Sequence, residues 1–174
     1  MGSHIVSSSG RIEYRKILFV IIALFSSVIS LQAAPGKVKV YLFLQSQCPC
    51  IYNHKETFGS LLKNYGDKVS FTAVFVDSKD NDNNIKDLMQ NLGWKVPYIK
   101  DKQHQLVREL QPKVSTDCVL VDASGKVLYK GAIDDGPLNM GTVKNFYLKD
   151  ALDAYFNHIP IKVFSGKGIG CFLQ

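Results

Sequence analysis

Two cysteines and a histidine lie within one short stretch of this chain, at Cys48, Cys50 and His54. A cysteine thiolate is the nucleophile of thiol–disulfide exchange and a ligand for soft metals, and a neutral imidazole accepts a proton or binds a metal. Two more cysteines lie further along the chain. The stretch YLFLQSQCPCIYNH, residues 41–54, is therefore the candidate site, and thiol chemistry is what it suggests.

The surrounding residues predict that the two cysteines lie where a strand ends and a helix begins. The apolar run from Val38 to Leu44 is rich in β-branched and aromatic residues, which indicates a buried strand. Beyond the cysteines, apolar residues recur every three or four positions, as on one face of a helix. Proline is favoured at the first helical position, so Pro49 would make Cys48 the cap residue. The Cys48 sulfur would then face the positive end of the helix dipole, which stabilises a thiolate.

The sequence leaves the pairing of the cysteines open, because four of them allow three complete pairings. In an extended chain Cys48 and Cys50 would have Cα atoms roughly 6.5 Å apart, so a bond between them would be strained and easily reduced. A bond from Cys48 to Cys171 or Cys118, and free or metal-bound thiols, are the alternatives. Cys118 has apolar neighbours, as a packed core thiol does. Cys171 lies on a glycine-rich tail, which we expect to be flexible and able to bring a resolving thiol to Cys48.

His54 follows Cys50 by four positions, which predicts that both project from one helical face. It also continues the apolar stripe, which favours a partly buried histidine that is hydrogen-bonded in the core. As a functional residue it would accept a proton from a thiol or, with Cys48 and Cys50, bind Cu(I) or Zn(II). The main hypothesis has no cofactor, and copper on these three residues is the alternative. Asp134 and Asp135 could bind a cation, but we expect them in a solvated turn.

The first 34 residues have the order of a secretory leader and signal peptide. A basic group precedes an uncharged apolar run, residues 17–31, and Ala33-Ala34 supply small residues for cleavage. The first ten residues look like an extra leader. The apolar run is shorter than the ~20 residues that a spanning helix needs, and an uncleaved membrane anchor is the alternative. We therefore expect a periplasmic or secreted protein whose single domain covers residues 35–174.

Charge and length exclude some classes of function. The formal net charge is +6, but the lysines and arginines are scattered, which indicates solvated faces and not a nucleic-acid surface. Removal of the signal would leave roughly 140 residues, enough for one core. Export would also place all four cysteines where disulfides persist. We find no repeat, cofactor motif, phosphate loop or Ser-His-Asp order.

The order of predicted elements indicates the fold class. A helix between the first strand and the apolar run Lys68 to Asp77 predicts a βαβ unit with parallel strands. Pro97 favours an edge strand, Cys118 to Tyr129 reads as a hairpin, and Val143 to Phe156 reads as the final helix. A central mixed β-sheet flanked by helices, with cysteines after its first strand, is the plan of an α/β, thioredoxin-like fold.

Four stretches also resemble a known family. They are FLQSQCPCIYNH after the first strand, VLVDASGKVLYKGAIDD in the hairpin, YLKDALDA in the last helix and GIGCFL at the end. In this order they resemble the redoxin group of the thioredoxin superfamily, the alkyl hydroperoxide reductase/thiol-specific antioxidant-like proteins, especially exported peroxiredoxin-like members. The resemblance implies a thiol-based redox role with Cys48 at the reactive position. Cys50 and His54 would belong to the same motif, and Cys171 would match a tail cysteine.

The chain departs from the family's patterns in three places. Cys-Pro-Cys replaces the W-C-x-x-C of thioredoxins, and the P-x-x-x-T-x-x-C frame of peroxiredoxins is missing. The family usually has a cis-proline just before the hairpin strand, where this chain has Thr116, or Asp117 if the register slips. A cis bond without proline costs about 2.5–4 kcal/mol, so we expect a trans bond or altered substrate docking there.

These observations lead to the hypothesis of an exported thiol–disulfide oxidoreductase, with Cys48 attacking and Cys50 resolving. His54 would assist proton movement, and Cys171 would be a second resolving thiol. Its partners would be protein or small-molecule thiols and disulfides, with no nucleic acid and no membrane contact beyond an uncleaved anchor. The alternatives are a thiol-dependent peroxidase acting on hydroperoxides, a Cu(I)-binding metallochaperone-like protein and a structural domain with two disulfides.

Overall fold

The computed structural model describes residues 37–139, 142–162 and 165–173, so the predicted leader and signal peptide lie outside the described residues. The strands are β1 Val38–Leu44, β2 Val69–Phe75, β3 Tyr98–Lys100, β4 Cys118–Val121 and β5 Val127–Gly131. The α-helices are α1 Lys55–Tyr65, α2 Asp82–Leu92, α3 Gln105–Leu110 and α4 Tyr147–Phe156, and short 3-10 helices cover Pro49–His54 and Gly136–Asn139. None of the helices in the described part of the chain has the length and apolar character to cross a membrane.

The sheet is mixed and has β1 at its centre, in the order β3-β2-β1-β4-β5. β1 pairs in parallel with β2, and β2 pairs in parallel with the edge strand β3. β4 runs antiparallel to β1 and forms a hairpin with β5. The predicted βαβ unit, edge strand and hairpin are all present, and the thioredoxin-like fold class is confirmed.

Two buried clusters cover the two faces of the sheet, because alternate residues of β1 point in opposite directions. Leu42 belongs to the larger cluster, which also contains Phe58 of α1 and Leu152 of α4. Phe43 belongs to the smaller cluster with Leu110 of α3. Burial on both faces fixes the register of β1, and with it the point at which the chain leaves the sheet toward the cysteines.

The ends of α2 follow from its sequence. The Asn81 side chain caps the first turn by accepting a hydrogen bond from the Asn84 N–H at 2.9 Å. At the other end Gly93 has a φ of 71°, a left-handed conformation that glycine adopts without steric cost. The helix therefore ends at Leu92, with Gly93 as its cap.

The final helix is shorter than predicted, since it begins at Tyr147 and not at Val143. The reason is a carboxylate from the hairpin side of the molecule. Asp135 Oδ1 accepts hydrogen bonds from the N–H groups of Lys144 and Asn145, at 2.8 and 2.9 Å. These bonds hold the segment before α4 as a loop, although its apolar spacing fits a helix.

Candidate functional site

The turn after β1 places Cys48 at the start of a helix. The Cys48 N–H donates to the Gln45 carbonyl at 2.9 Å, which closes the turn. Cys48 has extended backbone angles and is the cap residue, and Pro49 occupies the start of the 3-10 helix Pro49–His54. The position predicted for Cys48 is correct, because proline has a fixed φ that suits a first helical residue.

Three sulfur atoms come together at this turn. The Sγ atoms of Cys48 and Cys50 are 2.8 Å apart, and the Sγ of Cys171 lies within 4.8 Å of both. We call Cys48, Cys50 and Cys171 the thiol cluster. Cys48 is buried, with 3% of its surface exposed, whereas Cys50 is half-buried and Cys171 is exposed. All four cysteines of the chain are free thiols in this structure.

The three thiols differ in acidity. Burial raises the pKa of Cys48, but hydrogen bonds from the Cys171 and Cys50 side chains outweigh it and leave this pKa below its ordinary value. Burial and the neighbouring Cys48 raise the pKa of Cys50 to about 12. The hydrogen bond with Cys48 and burial also raise the pKa of Cys171. Because Cys48 has the lowest pKa of the three, it is the thiolate that accepts hydrogen bonds. Cys50 and Cys171 remain protonated and donate those hydrogen bonds.

The tail that carries Cys171 is held against the loop before β4. Its backbone pairs there, with the Ser115 N–H donating to the Cys171 carbonyl at 2.7 Å and Val114 forming an antiparallel bridge to Phe172. A Cβ at Gly170 would collide with the Ser115 carbonyl oxygen. In the described residues 165–173 the tail is packed against this loop, and the glycines permit the close backbone contact.

Thr116 is the residue predicted to stand where the family usually has a cis-proline. The described residues contain no cis peptide bond, as we expected, and Thr116 instead has a positive φ of 89°. This conformation is rare for a β-branched residue and costs on the order of 1–3 kcal/mol. The Thr116 N–H donates to the Phe43 carbonyl at 2.8 Å, and the Ser115 hydroxyl accepts from the Gln45 N–H at 3.1 Å. The strained Thr116 thus lies in the loop before β4, and this loop is hydrogen-bonded both to the end of β1 and to the tail.

His54 points away from the thiol cluster and into the core. Its Nδ1 is 2.7 Å from Asp134 Oδ1, and the Gly136 N–H donates to the same oxygen at 2.9 Å. The prediction that His54 and Cys50 share a face is wrong, because their segment is a 3-10 helix. With three residues per turn, positions four apart are rotated by about 120°, and His54 instead shares the buried face with Ile51.

Two aspartates after β5 are buried, contrary to the prediction of a solvated turn. Asp134 is 1% exposed and Asp135 is 4% exposed. Burial raises the pKa of Asp134, but the hydrogen bond and charge of His54 outweigh it, so this pKa lies below its ordinary value. The Asp134–His54 pair ties the loop after β5 to the helix that follows Cys48. This pair was not predicted from the sequence, because the partners are 80 positions apart.

The fourth cysteine takes no part in the cluster. Cys118 is fully buried in β4 and its thiol donates to the Gly131 carbonyl at 3.2 Å. Burial raises its pKa well above the ordinary value. The prediction of a packed core thiol is correct.

Of the three metal ligands considered from the sequence, Cys48 and Cys50 meet but His54 does not. His54 does not join Cys48 and Cys50, and Cys171 takes its place within reach of both sulfurs. The pattern of spacing could not reveal this, since Cys171 reaches the site only through the packing of the tail.

The mixed five-stranded sheet, with thiols directly after its central strand, defines a thioredoxin-like protein. The sequence model of the Redoxin family matches residues 20–147, and the chain belongs to this family. A search of curated proteins found no match.

Solved structures share the fold at low sequence identity. An uncharacterized conserved protein from Geobacillus kaustophilus is 24% identical with a TM-score of 0.71, covering 80% of this chain and 78% of that one. A hypothetical protein from Sinorhizobium meliloti is 21% identical with a TM-score of 0.67, covering 78% of each chain. A thioredoxin-like protein from Aeropyrum pernix is 18% identical with a TM-score of 0.51, covering 76% of this chain and 98% of that one.

Proposed function

We propose that the protein is an exported thiol–disulfide oxidoreductase of the redoxin type that uses its Cys-Pro-Cys motif. The observation that carries the proposal is the thiol cluster, in which the Cys48 and Cys50 sulfurs are 2.8 Å apart at the end of the central strand. Membership of the Redoxin family supports it. The substrates are disulfides or thiols of proteins or small molecules.

In the proposed reaction the Cys48 thiolate attacks one sulfur of a substrate disulfide and expels the other as a thiolate. Cys50 then gives its proton to the expelled thiolate and attacks the Cys48 sulfur. The Cys48–Cys50 disulfide forms, and the second substrate thiolate leaves and takes up the proton that Cys48 released on ionising. Two electrons have moved from two protein thiols to the substrate disulfide.

The acidity of Cys50 fits this order of steps. Burial and the Cys48 thiolate keep Cys50 protonated at neutral pH, with a pKa of about 12, so it does not compete as the attacking thiol. In the mixed disulfide Cys48 no longer carries a negative charge. The charge of Cys48 therefore no longer raises the pKa of Cys50. This pKa falls at the step at which Cys50 must ionise.

Cys171 serves as the second resolving thiol, since its sulfur also lies near Cys48 and is exposed to solvent. The predicted part of His54 in proton movement has no contact to support it among the described residues, and we give His54 a positioning role through Asp134.

The surroundings of the thiol cluster suit a polypeptide substrate. Tyr52, Ile169 and Phe172 lie near the cysteines in sequence and expose much of their apolar surface, with Phe172 at 77%. A cleft of about 340 Å³ between Gln45, His104 and Phe172 opens beside the tail. Exposed apolar side chains next to a cleft are typical of a surface that receives another chain.

The proposal places the protein in the periplasm or outside the cell. Its support is the basic, apolar and small-residue order of the first 34 residues. Mass spectrometry of the protein from cells should find a mature N-terminus at or next to Ala34. A full-length chain retained in the cytoplasm would contradict export.

Insulin reduction with dithiothreitol as the electron source tests the activity. Replacement Cys48→Ser should abolish the catalysed rate. The double replacement Cys50→Ser/Cys171→Ser removes both resolving thiols and should trap a mixed disulfide with the substrate that mass spectrometry detects. Cys118→Ala is the matched control, because Cys118 lies outside the cluster, and its rate should equal that of the wild type. An unchanged rate for Cys48→Ser would reject the proposal. Hydroperoxide consumption that requires Cys48, without disulfide reduction, would replace it with the peroxidase alternative.

A further inference from the structure

The thiol cluster holds one more sulfur than a simple exchange of disulfides requires. The ligand atoms of Cys48, Cys50 and Cys171 all lie within 4.8 Å of one another. Within residues 37–139, 142–162 and 165–173, no other set of three or more His, Cys, Asp or Glu side chains meets that criterion. Three thiols in such a group form a ligand set for a single metal ion.

The geometry requires little movement to accept an ion. At a metal–sulfur distance of about 2.3 Å, three sulfurs arranged in a plane around the metal lie about 4 Å from one another. The Cys48 and Cys50 sulfurs, at 2.8 Å, would have to separate by about 1 Å. Rotation about the side-chain bonds of Cys50, which is only half-buried, can supply this movement.

The chemistry of the set selects the metal. Thiolates are soft ligands that favour Cu(I), Zn(II) and iron–sulfur clusters over hard cations. Protein zinc sites are almost always four-coordinate, and the described residues contribute no fourth His, Cys, Asp or Glu to this group. Cu(I) is satisfied by three sulfurs, so it fits the set better than Zn(II).

We propose that the reduced protein binds one Cu(I) ion through the thiolates of Cys48, Cys50 and Cys171. Cys48 binds as the thiolate that it already is, Cys50 and Cys171 each release a proton to solvent as they bind, and no oxidation state changes. His54 is not a ligand, since its Nδ1 is bonded to Asp134 in the core. Cu(I) reaches the site from the surface through Cys171 and contacts Cys48 at the buried end.

Copper binding and disulfide formation use the same sulfurs and exclude each other. A Cys48–Cys50 disulfide removes two of the three ligands, so the oxidised protein binds no Cu(I). Bound Cu(I) in turn protects all three thiols from alkylation. The site is therefore tested by metal binding alone, without any turnover of a disulfide substrate.

The experiment is an anaerobic titration of fully reduced full-length protein with Cu(I) held by the coloured chelator bathocuproine disulfonate. The wild type should remove one equivalent, the oxidised wild type none, and Cys171→Ser should bind at least tenfold more weakly. Cys118→Ala is the control and should match the wild type. X-ray absorption of the copper-loaded wild type should show three sulfur neighbours and no nitrogen.

Four results would overturn the proposal. They are failure of the reduced wild type to take Cu(I) from the chelator, equal affinity of Cys171→Ser and the wild type, a nitrogen neighbour in the absorption spectrum, and retention of Zn(II) in preference to Cu(I) when both are supplied. Each can occur while Cys48-dependent insulin reduction remains intact, so failure of this proposal is distinguishable from failure of the proposed function.

Discussion

Cys48 differs from the other thiols of the protein in the number of hydrogen-bond donors that face its sulfur. Its sulfur receives the side-chain hydrogen bonds of Cys171 and Cys50, and the backbone N–H groups of the same two residues lower its pKa further. Burial alone would have the opposite effect, as it does for Cys118. The reactivity of Cys48 therefore depends on neighbours as much as on its position before a helix.

This dependence predicts that Cys171→Ala raises the pKa of Cys48, because a donor to the thiolate is lost. The rate of Cys48 alkylation by iodoacetamide, followed by mass spectrometry as a function of pH, gives the pKa in each variant. The wild type should titrate below the ordinary value for cysteine, and Cys118→Ala should titrate like the wild type. Identical profiles for the wild type and Cys171→Ala would contradict the assignment of the tail thiol as a donor.

The buried pair of Asp134 and His54 predicts a pH-dependent stability. The pKa of Asp134 is lowered in the folded protein, so its contribution to stability is fully present above the unfolded pKa of about 3.9 and is lost as the pH falls through the folded value. Asp134→Asn keeps the shape but removes the charge, and should cost about 1–3 kcal/mol at pH 7. Urea unfolding at pH 7 and at pH 3 measures this cost, which should shrink at pH 3. A cost that does not change with pH would show that the charge is unimportant.

The bounds of single strands and helices could be predicted from the sequence where they depend on neighbouring residues. The bounds of β1 match the predicted strand Val38 to Leu44, because a strand buried on both faces leaves a continuous apolar run. The 3-10 helix Pro49–His54 was predicted as part of an α-helix, since single residues hardly distinguish the two. The path of the tail could not be predicted, because its hydrogen bonds to residues 113–116 join positions far apart in the chain.

The tail and the thiol cluster are linked through Gly170. Gly170→Ala places a methyl group on the Ser115 carbonyl oxygen, so the tail must move away and Cys171 must leave Cys48. Alkylation of Cys171 should become faster and the pKa of Cys48 should rise, and both are measured by mass spectrometry after timed labelling.

Gly59→Ala is the matched control for this substitution. Gly59 lies in α1 and its Cβ would be 3.5 Å from Nε1 of Trp94, an ordinary van der Waals contact, so the thiol cluster should be unaffected. Stability should rise by about 0.5–1 kcal/mol, because glycine is costly inside a helix. Unchanged labelling of Cys171 in Gly170→Ala would show that the glycine is not needed for the position of the tail.

For the molecule as a whole, the choice of disulfide partner changes the free energy of unfolding. A Cys48–Cys50 bond closes a loop of only three residues and restricts the unfolded chain little, by about 1.6 kcal/mol on the loop-entropy model. A Cys48–Cys171 bond would close most of the described chain into one loop and contribute about 5 kcal/mol. Because we propose Cys48–Cys50 as the product of turnover, oxidised and reduced protein should differ by less than about 2 kcal/mol in urea unfolding. Cys171→Ser should show the same small difference as the wild type. A gap near 5 kcal/mol that disappears in Cys171→Ser would instead identify the tail thiol as the resolving partner, because only that pairing closes so long a loop.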